Sequence, residues 1–519
     1  MNTTDFLSIA NAICPHRDCV VFEGKRWTYA QANERVCRLT NALAKLGVKK
    51  DDRIGILQVN CNQYVESYFA AAKVGAIFVP LNFRAKADEL TYMIGNAEAK
   101  ILLAGTRYFD MVNAMMPQLP TLKHCISIDT KIEGMSYYED LIDSASPDDR
   151  TAEIEDDDIT ILMYTAGTTG RPKGVPLGHN AFVTYVLDNV DPANPDREER
   201  NLLTVPLYHV AGIQAVLAAI YAGRTLVMMR QFEVKEWLET AQRERAMRAM
   251  LVPTMLKKII EEPDFPKYDL TSLKIITYGA APMPLGVIKK AIDAMPWVKF
   301  INAFGQTETA STITALSPED HRIEGTEEER EKKLKRLTSS IGKPLPDVEV
   351  KIIDEGGKRV PSREVGEIVV RGPRIMKGYW SDEQKTSQVL TPDGWLRTGD
   401  MGWMDEEGYI YLAGRADDMI IRGGENISPE EVEDVLHSHP KVEEAAVIGI
   451  PDPEWGQQPA AVVVLKKGEQ AAPEEIIEHC HARLSGFKRP RSVVFVDSLP
   501  RNPLGKVLKK QLREQYGSS

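Results

Sequence analysis

Apolar residues recur at helical spacing through Val36, Leu39, Leu43 and Leu46, which predicts an amphipathic helix. Just ahead of it, Thr28-Tyr29-Ala30-Gln31 has the form of a capping box, in which the threonine hydroxyl takes a free backbone amide and the glutamine reaches back. Residues 53–59 then read as a strand, 64–74 as a helix, 77–80 as a short strand, 88–94 as a helix and 100–104 as a strand. Alternation of this kind predicts an α/β domain with mixed or largely parallel sheets.

Residues 319–335 are dense in charge and include Glu327-Glu328-Glu329-Arg330-Glu331-Lys332-Lys333, which predicts a solvated helix. After the apolar stretch 409–412, Gly414-Arg415-Ala416-Asp417-Asp418 forms a polar break between apolar strands. Strands at 447–450, 461–465 and 493–496, with helices among them, fit a small α+β domain. The expected division is a large domain over 1–413, a connection at 414–418 and a small domain over 419–519. No internal repeat is visible.

Composition changes this picture little. A chain of 519 residues exceeds one ordinary core, so at least two domains are expected. The net charge of -11 disfavours nonspecific nucleic-acid binding. It leaves room for anionic substrates, because Lys506 with Lys509 and Lys510, and Lys488 with Arg489 and Arg491, are local basic clusters. The six cysteines form no CxxC pair and read as reduced intracellular thiols. Cys14, His16 and Cys19 form one short cluster without a partner cluster, a weak metal signal. The run His479-Cys480-His481 fits a C-terminal helix. No basic region followed by an apolar one opens the chain. No apolar run reaches the roughly 18 to 20 residues of a membrane span. A cytoplasmic protein without integral membrane contact is expected. Nothing sets the oligomeric state, and a homodimer is compatible with the sequence.

The apolar strand 158–163 runs into Tyr164-Thr165-Ala166-Gly167-Thr168-Thr169-Gly170-Arg171-Pro172-Lys173-Gly174-Val175. Glycines let the backbone approach and turn sharply, successive amides can form an anion-binding nest, threonine hydroxyls donate further hydrogen bonds, and Lys173 adds positive charge. The loop therefore suits polyphosphate. It is not GxxxxGK[ST], because no Ser or Thr follows the lysine at that spacing.

With this loop the chain resembles the adenylate-forming superfamily of acyl-CoA synthetases, nonribosomal adenylation domains and firefly luciferase, over nearly its whole length and with the motifs in family order. The resemblance implies a large N-terminal domain, a small mobile C-terminal domain and an active site between them. It places ATP phosphates against Thr165, Ala166, Gly167, Thr168, Thr169, Gly170 and Lys173. Ala166 stands where the family usually has Ser or Thr, so one phosphate-contacting hydroxyl is missing, and altered nucleotide affinity is expected.

Other segments take roles from the same resemblance. In Asn302-Ala303-Phe304-Gly305-Gln306-Thr307-Glu308, Glu308 matches the magnesium-ligating glutamate, a hard oxygen donor for a hard cation. Thr165 supplies a second protein oxygen. Thr307 matches an α-phosphate contact, and Asn302, Ala303, Phe304 and Gly305 line the adenine, with Asn302 facing its edge. The family usually has Tyr where this chain has Phe304, so stacking survives and the phenol hydroxyl is lost. Gly279, Ala280 and Ala281, in Tyr278-Gly279-Ala280-Ala281-Pro282, match the small residues beside adenine and the acyl pocket; small side chains equally permit tight packing. Asp400, in Thr398-Gly399-Asp400, matches the aspartate that accepts from both ribose hydroxyls, and a carboxylate suits a vicinal diol. Arg415 matches a second ribose or phosphate contact.

Lys506, within Pro500-Arg501-Asn502-Pro503-Leu504-Gly505-Lys506-Val507, matches the adenylation lysine, whose compact ammonium neutralises charge in the transition state. His209, in Pro206-Leu207-Tyr208-His209-Val210-Ala211-Gly212, matches a contact in the carboxylate pocket. It is not assigned as a base, because a carboxylate is already ionised at neutral pH. Asp417 matches the hinge, and Gly424 the face that admits the pantetheine arm of coenzyme A.

The implied reaction is carboxylic acid:CoA ligation through an acyl-adenylate, with ATP, Mg2+ and coenzyme A. A fatty, alicyclic or aromatic acid fits the apolar surroundings of His209 and the small residues at 279–281. An external thiol also explains the lack of a catalytic cysteine. One alternative acceptor is a free-standing acyl carrier protein, since the chain ends soon after Lys506 and leaves no room for an attached carrier. A luciferase-like oxidation is another member of the superfamily. A non-catalytic nucleotide-binding regulator is the reading from a different class; binding alone would not require Thr307, Glu308, Asp400 and Lys506 together.

Overall fold

A computed structural model describes residues 1–165, 171–415, 418–422, 425–481, 483–501 and 507–517. Among these residues the chain builds three sheets. One has seven strands, in the order Ser136–Tyr137, His124–Ser127, Ile101–Ala104, Arg53–Leu57, Ile77–Pro80, Ile159–Thr165 and Lys173–Gly178. Its strands run parallel except for the last pair, an antiparallel hairpin. This is the sheet expected from the alternation near the N-terminus.

A second sheet has thirteen strands. At its centre Asp18–Phe22, Thr225–Met228, Arg200–Leu203, Arg248–Leu251, Ile275–Gly279 and Lys299–Gln306 run parallel. Beyond Lys299–Gln306 the pairing turns antiparallel, through Ser311–Leu316, Ser340–Pro344, Ile410–Arg415, Leu396–Met404, Gly366–Arg371 and Glu349–Ile353. The small domain holds the third sheet, of five strands, with Gly456–Leu465 between Val442–Asp452 and Ser492–Phe495. Lys257, on the helix Pro253–Glu261 of the large domain, pairs with Glu443 of the small domain at 2.5 Å.

Local signals explain several elements. The helix Tyr29–Lys45 starts with the expected box: Gln31 N donates to Thr28 Oγ1 at 3.2 Å, and Thr28 N to Gln31 Oε1 at 2.9 Å. Its buried face includes Val36, Leu39 and Leu43.

Other elements depart from expectation for visible reasons. The strand expected over 53–59 ends at Leu57, because the Gln58 side chain takes the Val59 amide (2.9 Å) and donates to Asp129 (2.9 Å). The charged stretch 319–335 is not one helix. A 3-10 turn, Pro318–His321, precedes the helix Glu327–Ser339. Between them Gly325 has φ 114°, and Thr326 opens a fresh capping box with Glu329. The strand expected over 409–412 continues to Arg415, so the polar stretch 414–418 begins inside the sheet. Cys14 and Cys19 are buried, and Cys14 Sγ donates to Ala10 O. Among the described residues no helix is long and apolar enough to cross a membrane.

Candidate active site

Asp400 is 7% exposed, and its carboxylate is held from two sides. Register places it opposite Arg415 on the antiparallel ladder. Arg415 Nη1 donates to Asp400 Oδ1 at 2.8 Å and to Thr398 O at 3.1 Å. Gln306 Nε2 donates to Asp400 Oδ2 at 2.6 Å and to Thr398 O at 2.9 Å. Thr398 Oγ1 bonds Ile368 O and accepts the Asp400 amide, which fixes the turn. Gly399 sits at φ 70°, a left-handed conformation that side chains resist. A carboxylate has about four acceptor sites, so a vicinal diol can still be bound here.

Gln306 ends the strand Lys299–Gln306, and the 3-10 turn Thr307–Thr309 follows at once. Thr309 Oγ1 takes the Gln306 amide at 3.0 Å and lies 2.8 Å from Ser311 O. The chain then passes through Ala310 and Ser311 at φ 49° and 85°. Two consecutive left-handed non-glycine residues are strained, and the buried Thr309 supports them.

This turn presents Glu308. Its Oε1 accepts from the Tyr379 hydroxyl at 3.0 Å, and its carbonyl accepts the Met376 amide at 2.9 Å. Burial and the Glu308 charge push the Tyr379 phenol well up, keeping it a donor. Lys173 Nζ lies 4.9 Å from the Tyr379 ring centroid. Lys173 pairs with Thr165 across the hairpin, and the Trp380 amide donates to Gly174 O at 2.8 Å. The base of the hairpin at Thr165 and Lys173, Tyr379 and Glu308 are thereby joined. Residues 166–170 lie outside the described residues, so Ala166, Gly167, Thr168, Thr169 and Gly170 are not placed.

A magnesium site fits this corner. Tyr379 uses one Glu308 oxygen, and the other can meet a cation. Among the described residues no cluster of three His, Cys, Asp or Glu could hold a metal. Mg2+ commonly takes one or two carboxylates and completes its shell with substrate phosphates and water.

Asn302 and Ala303 stand opposite Tyr278 and Gly279 in the parallel register. A Cβ on Gly279 would lie 2.1 Å from Ala303 O, and one on Gly305 1.7 Å from Ser311 O. Close main-chain packing therefore requires both glycines, whatever they do for a ligand. Phe304 packs against the core. Asn302 Nδ2 is 3.5 Å from Ser340 O, a long contact that leaves its amide able to pair elsewhere. Ala280 is exposed at φ 67° and Ala281 is half-buried.

His209 precedes the helix Val210–Tyr221 and packs on the Tyr208 ring, centroids 4.0 Å apart. Its Nε2 is enclosed and has no hydrogen-bond partner among the described residues. Burial, then the Arg84 charge, lowers its pKa to about 3, so the imidazole is neutral at physiological pH. It can offer a hydrogen bond to a bound group but no charge. Buried Asn60 holds the segment leading to it, donating to Val205 O at 3.1 Å and accepting the Leu207 amide at 3.0 Å.

Lys506, Asp417 and Gly424 lie outside the described residues. Gln306, Tyr379 and Asn60 were not singled out from sequence. The local hint at Tyr379 was an aromatic pair, Tyr379-Trp380, after Gly378, whereas Asn60 stands in the amide-rich stretch Gln58-Val59-Asn60-Cys61-Asn62 with nothing to mark it out.

The AMP-binding enzyme family matches residues 9–380, and the AMP-binding enzyme C-terminal domain matches 431–506. The chain belongs to the AMP-binding enzyme family. Feruloyl-CoA synthase of Amycolatopsis sp is 35% identical over 504 residues, covering 97% of this chain and 96% of the relative. The long-chain-fatty-acid–CoA ligase FadD13 of Mycobacterium tuberculosis is 33% identical over 497 residues, covering 95% and 94%. Among solved structures, the anthranilate CoA ligase AuaEII in complex with anthranoyl-AMP superposes with a TM-score of 0.89 at 27% identity, covering 99% of this chain and 97% of that one. As a member of this AMP-binding family the chain is an AMP-forming acid–thiol ligase that uses ATP.

Proposed function

We propose that this enzyme activates a fatty, alicyclic or aromatic carboxylic acid as its adenylate and transfers the acyl group to coenzyme A. One observation carries the site assignment: Gln306 and Glu308, two residues apart, bind the Asp400 carboxylate and the Tyr379–Lys173 corner respectively. The turn Thr307–Thr309 thus links Asp400, read here as the ribose acceptor, to Glu308, read here as the metal ligand.

In the first step a carboxylate oxygen of the acid attacks the α-phosphorus of ATP, the bond to the bridging oxygen breaks, and pyrophosphate leaves. Asp400 and Arg415 hold the ribose end, Asn302 to Gly305 the adenine, and Lys173 with Thr165 and 166–170 the phosphates. Thr307 contacts the α-phosphate. Magnesium, held by Glu308 and Thr165, would neutralise phosphate charge. Lys506 stabilises the charge that builds at the α-phosphate and carboxylate. His209 orients the acid from its pocket without taking a proton. In the second step the coenzyme A thiol attacks the acyl carbonyl, the carbon–oxygen bond to AMP breaks, and AMP leaves. The hinge between the steps is assigned by the family resemblance to Asp417, and admission of the pantetheine arm to Gly424.

A panel of carboxylic acids with ATP, Mg2+ and coenzyme A, read by mass spectrometry for AMP and acyl-CoA, tests this reading. Equal yields of both products from an apolar acid are expected. AMP without acyl-CoA would instead point to a carrier protein as the acceptor.

A further inference from the structure

Arg374 is a cation with no exposed surface, and the mechanism above leaves it unused. All three nitrogens of its guanidinium donate. Nε bonds Asp347 Oδ2, Nη2 bonds Asp347 Oδ1 at 3.1 Å, and Nη1 bonds Thr312 O at 2.6 Å. Its central carbon lies 5.3 Å from the ring centroid of Tyr185, on the helix His179–Asn189. The Asp347 side chain is also buried. Its loop is anchored beside the same carbonyl, because the Leu345 amide donates to Ile313 O at 2.9 Å. Gly372 permits the close approach of that loop: a Cβ there would lie 2.7 Å from Asp347 O.

Thr312 is where the chain re-enters the sheet after the metal corner. From the turn Thr307–Thr309 it passes through the left-handed Ala310 and Ser311, and Thr312 then stands opposite Gly305. The ladder to Ser340–Pro344 begins only at Thr314; ahead of it, Arg374 holds the Thr312 carbonyl. Two residues beyond Arg374, the Met376 amide donates to Glu308 O at 2.9 Å. Five residues beyond, the Tyr379 hydroxyl donates to Glu308 Oε1 at 3.0 Å. One short segment therefore grips the exit of the turn, the Glu308 main chain and the Glu308 carboxylate. Desolvating an ion pair is costly, and apolar residues of similar volume often stabilise as well or better. Stability alone thus explains the Arg374–Asp347 pair poorly, whereas a rigid fork aimed at one carbonyl fixes direction.

We propose that Arg374 is a positioning residue for adenylation: by locking the Thr312 carbonyl against Asp347, it sets where Glu308 presents its second oxygen to the magnesium–ATP substrate. The proposal rests on the function assigned above. Contacts behind a metal-ligating group typically change metal affinity or activity by roughly 10- to 100-fold when lost.

The test uses the full-length enzyme with the paired change Arg374→Met and Asp347→Leu, which removes both charges together, and with Arg374→Lys alone. Mn2+ binding is read by electron paramagnetic resonance in the presence of α,β-methylene-ATP. Adenylation is titrated with Mg2+ by hydroxylamine trapping, and thioester formation is read from supplied acyl-adenylate. The paired variant is expected to fold, to bind Mn2+ about tenfold more weakly and to need about tenfold more Mg2+, with the acid KM within about twofold and thioester formation unchanged. Arg374→Lys keeps the ion pair but replaces the fork by one ammonium, so a loss of about two- to threefold is expected. Wild-type Mn2+ binding and Mg2+ titration in the folded paired variant would overturn the proposal. Loss spread equally over the acid KM and both half-reactions would also overturn it, by reducing Arg374 to a general support. If the paired variant fails to fold, Arg374→Lys decides the matter by the same criteria. Wild-type Mn2+ binding in Glu308→Gln would instead defeat the metal reading of Glu308 on which the proposal rests.

Discussion

Gln306 reaches across the sheet and donates to Oδ2 of Asp400 at 2.6 Å, although the two residues are 94 positions apart. The bond leaves Asp400 oriented by Gln306 on one oxygen and Arg415 on the other. A hydrogen bond to a charged group contributes about 1.5–3 kcal/mol. Gln306→Ala is therefore expected to weaken ATP binding by roughly tenfold or more, measured by calorimetry. Unchanged ATP affinity would show that Arg415 alone orients the carboxylate.

Tyr379 should matter through Glu308. Removing its hydroxyl in Tyr379→Phe deletes one bond to Oε1 while keeping the ring beside Lys173. The Mg2+ concentration for half-maximal activity is expected to rise by about five- to tenfold, the equivalent of about 1 kcal/mol. Glu308→Gln should abolish adenylation at any practical Mg2+ concentration. A Tyr379→Phe enzyme with a wild-type magnesium titration would detach Tyr379 from the metal corner.

Acid should destabilise the fold through groups that burial keeps neutral. His209 and His179 have folded pKa values lowered from 6.5 to about 3 and about 4, both chiefly by burial. Between those values and 6.5 the unfolded chain binds more protons than the folded one, so stability rises with pH across this window. Tm is expected to fall steadily as pH drops from about 6.5 to about 4, and His209→Gln should flatten part of that slope. The same pKa predicts no His209 ionisation in kcat/KM above about pH 5. A kinetic pKa near neutrality that vanishes in His209→Gln would contradict the neutral assignment.

The two half-reactions should separate at Lys506 and Asp417. Lys506→Ala is expected to slow adenylation by at least about a hundredfold while sparing thioester formation from supplied acyl-adenylate. Asp417→Pro should impair thioester formation more than adenylation, because proline fixes φ where a hinge must change it. Equal effects on both steps in either variant would sink the corresponding role.

Much of the architecture was legible because its signals are local. The Thr28–Gln31 box and the helix after it need only neighbouring residues, and the alternation over 53–104 already pointed to the parallel sheet. Gln58 ended its strand early through a bond to Asp129, a partner 71 positions away that no periodicity reveals. Arg415 joined its strand because Asp400 lies opposite. The site followed the same division. Lys173, Glu308 and Asp400 stood in short strings whose residue types suit phosphate, metal and diol. Gln306, Tyr379 and Asn60 act on partners 94, 71 and 147 positions distant, and each looks ordinary in its own segment. The resemblance placed Gly279 and Gly305 near a ligand as an expectation; the main-chain oxygens that exclude a side chain at both positions became visible only in the folded sheet.

The central claim is that the acid's own oxygen attacks the α-phosphorus. Supplying an accepted acid labelled with 18O in its carboxylate, together with unlabelled ATP and coenzyme A, tests this directly by mass spectrometry of AMP. The mechanism predicts AMP carrying one 18O atom from the acid, formed in equal amount with acyl-CoA. Unlabelled AMP, or ADP in its place, would contradict it.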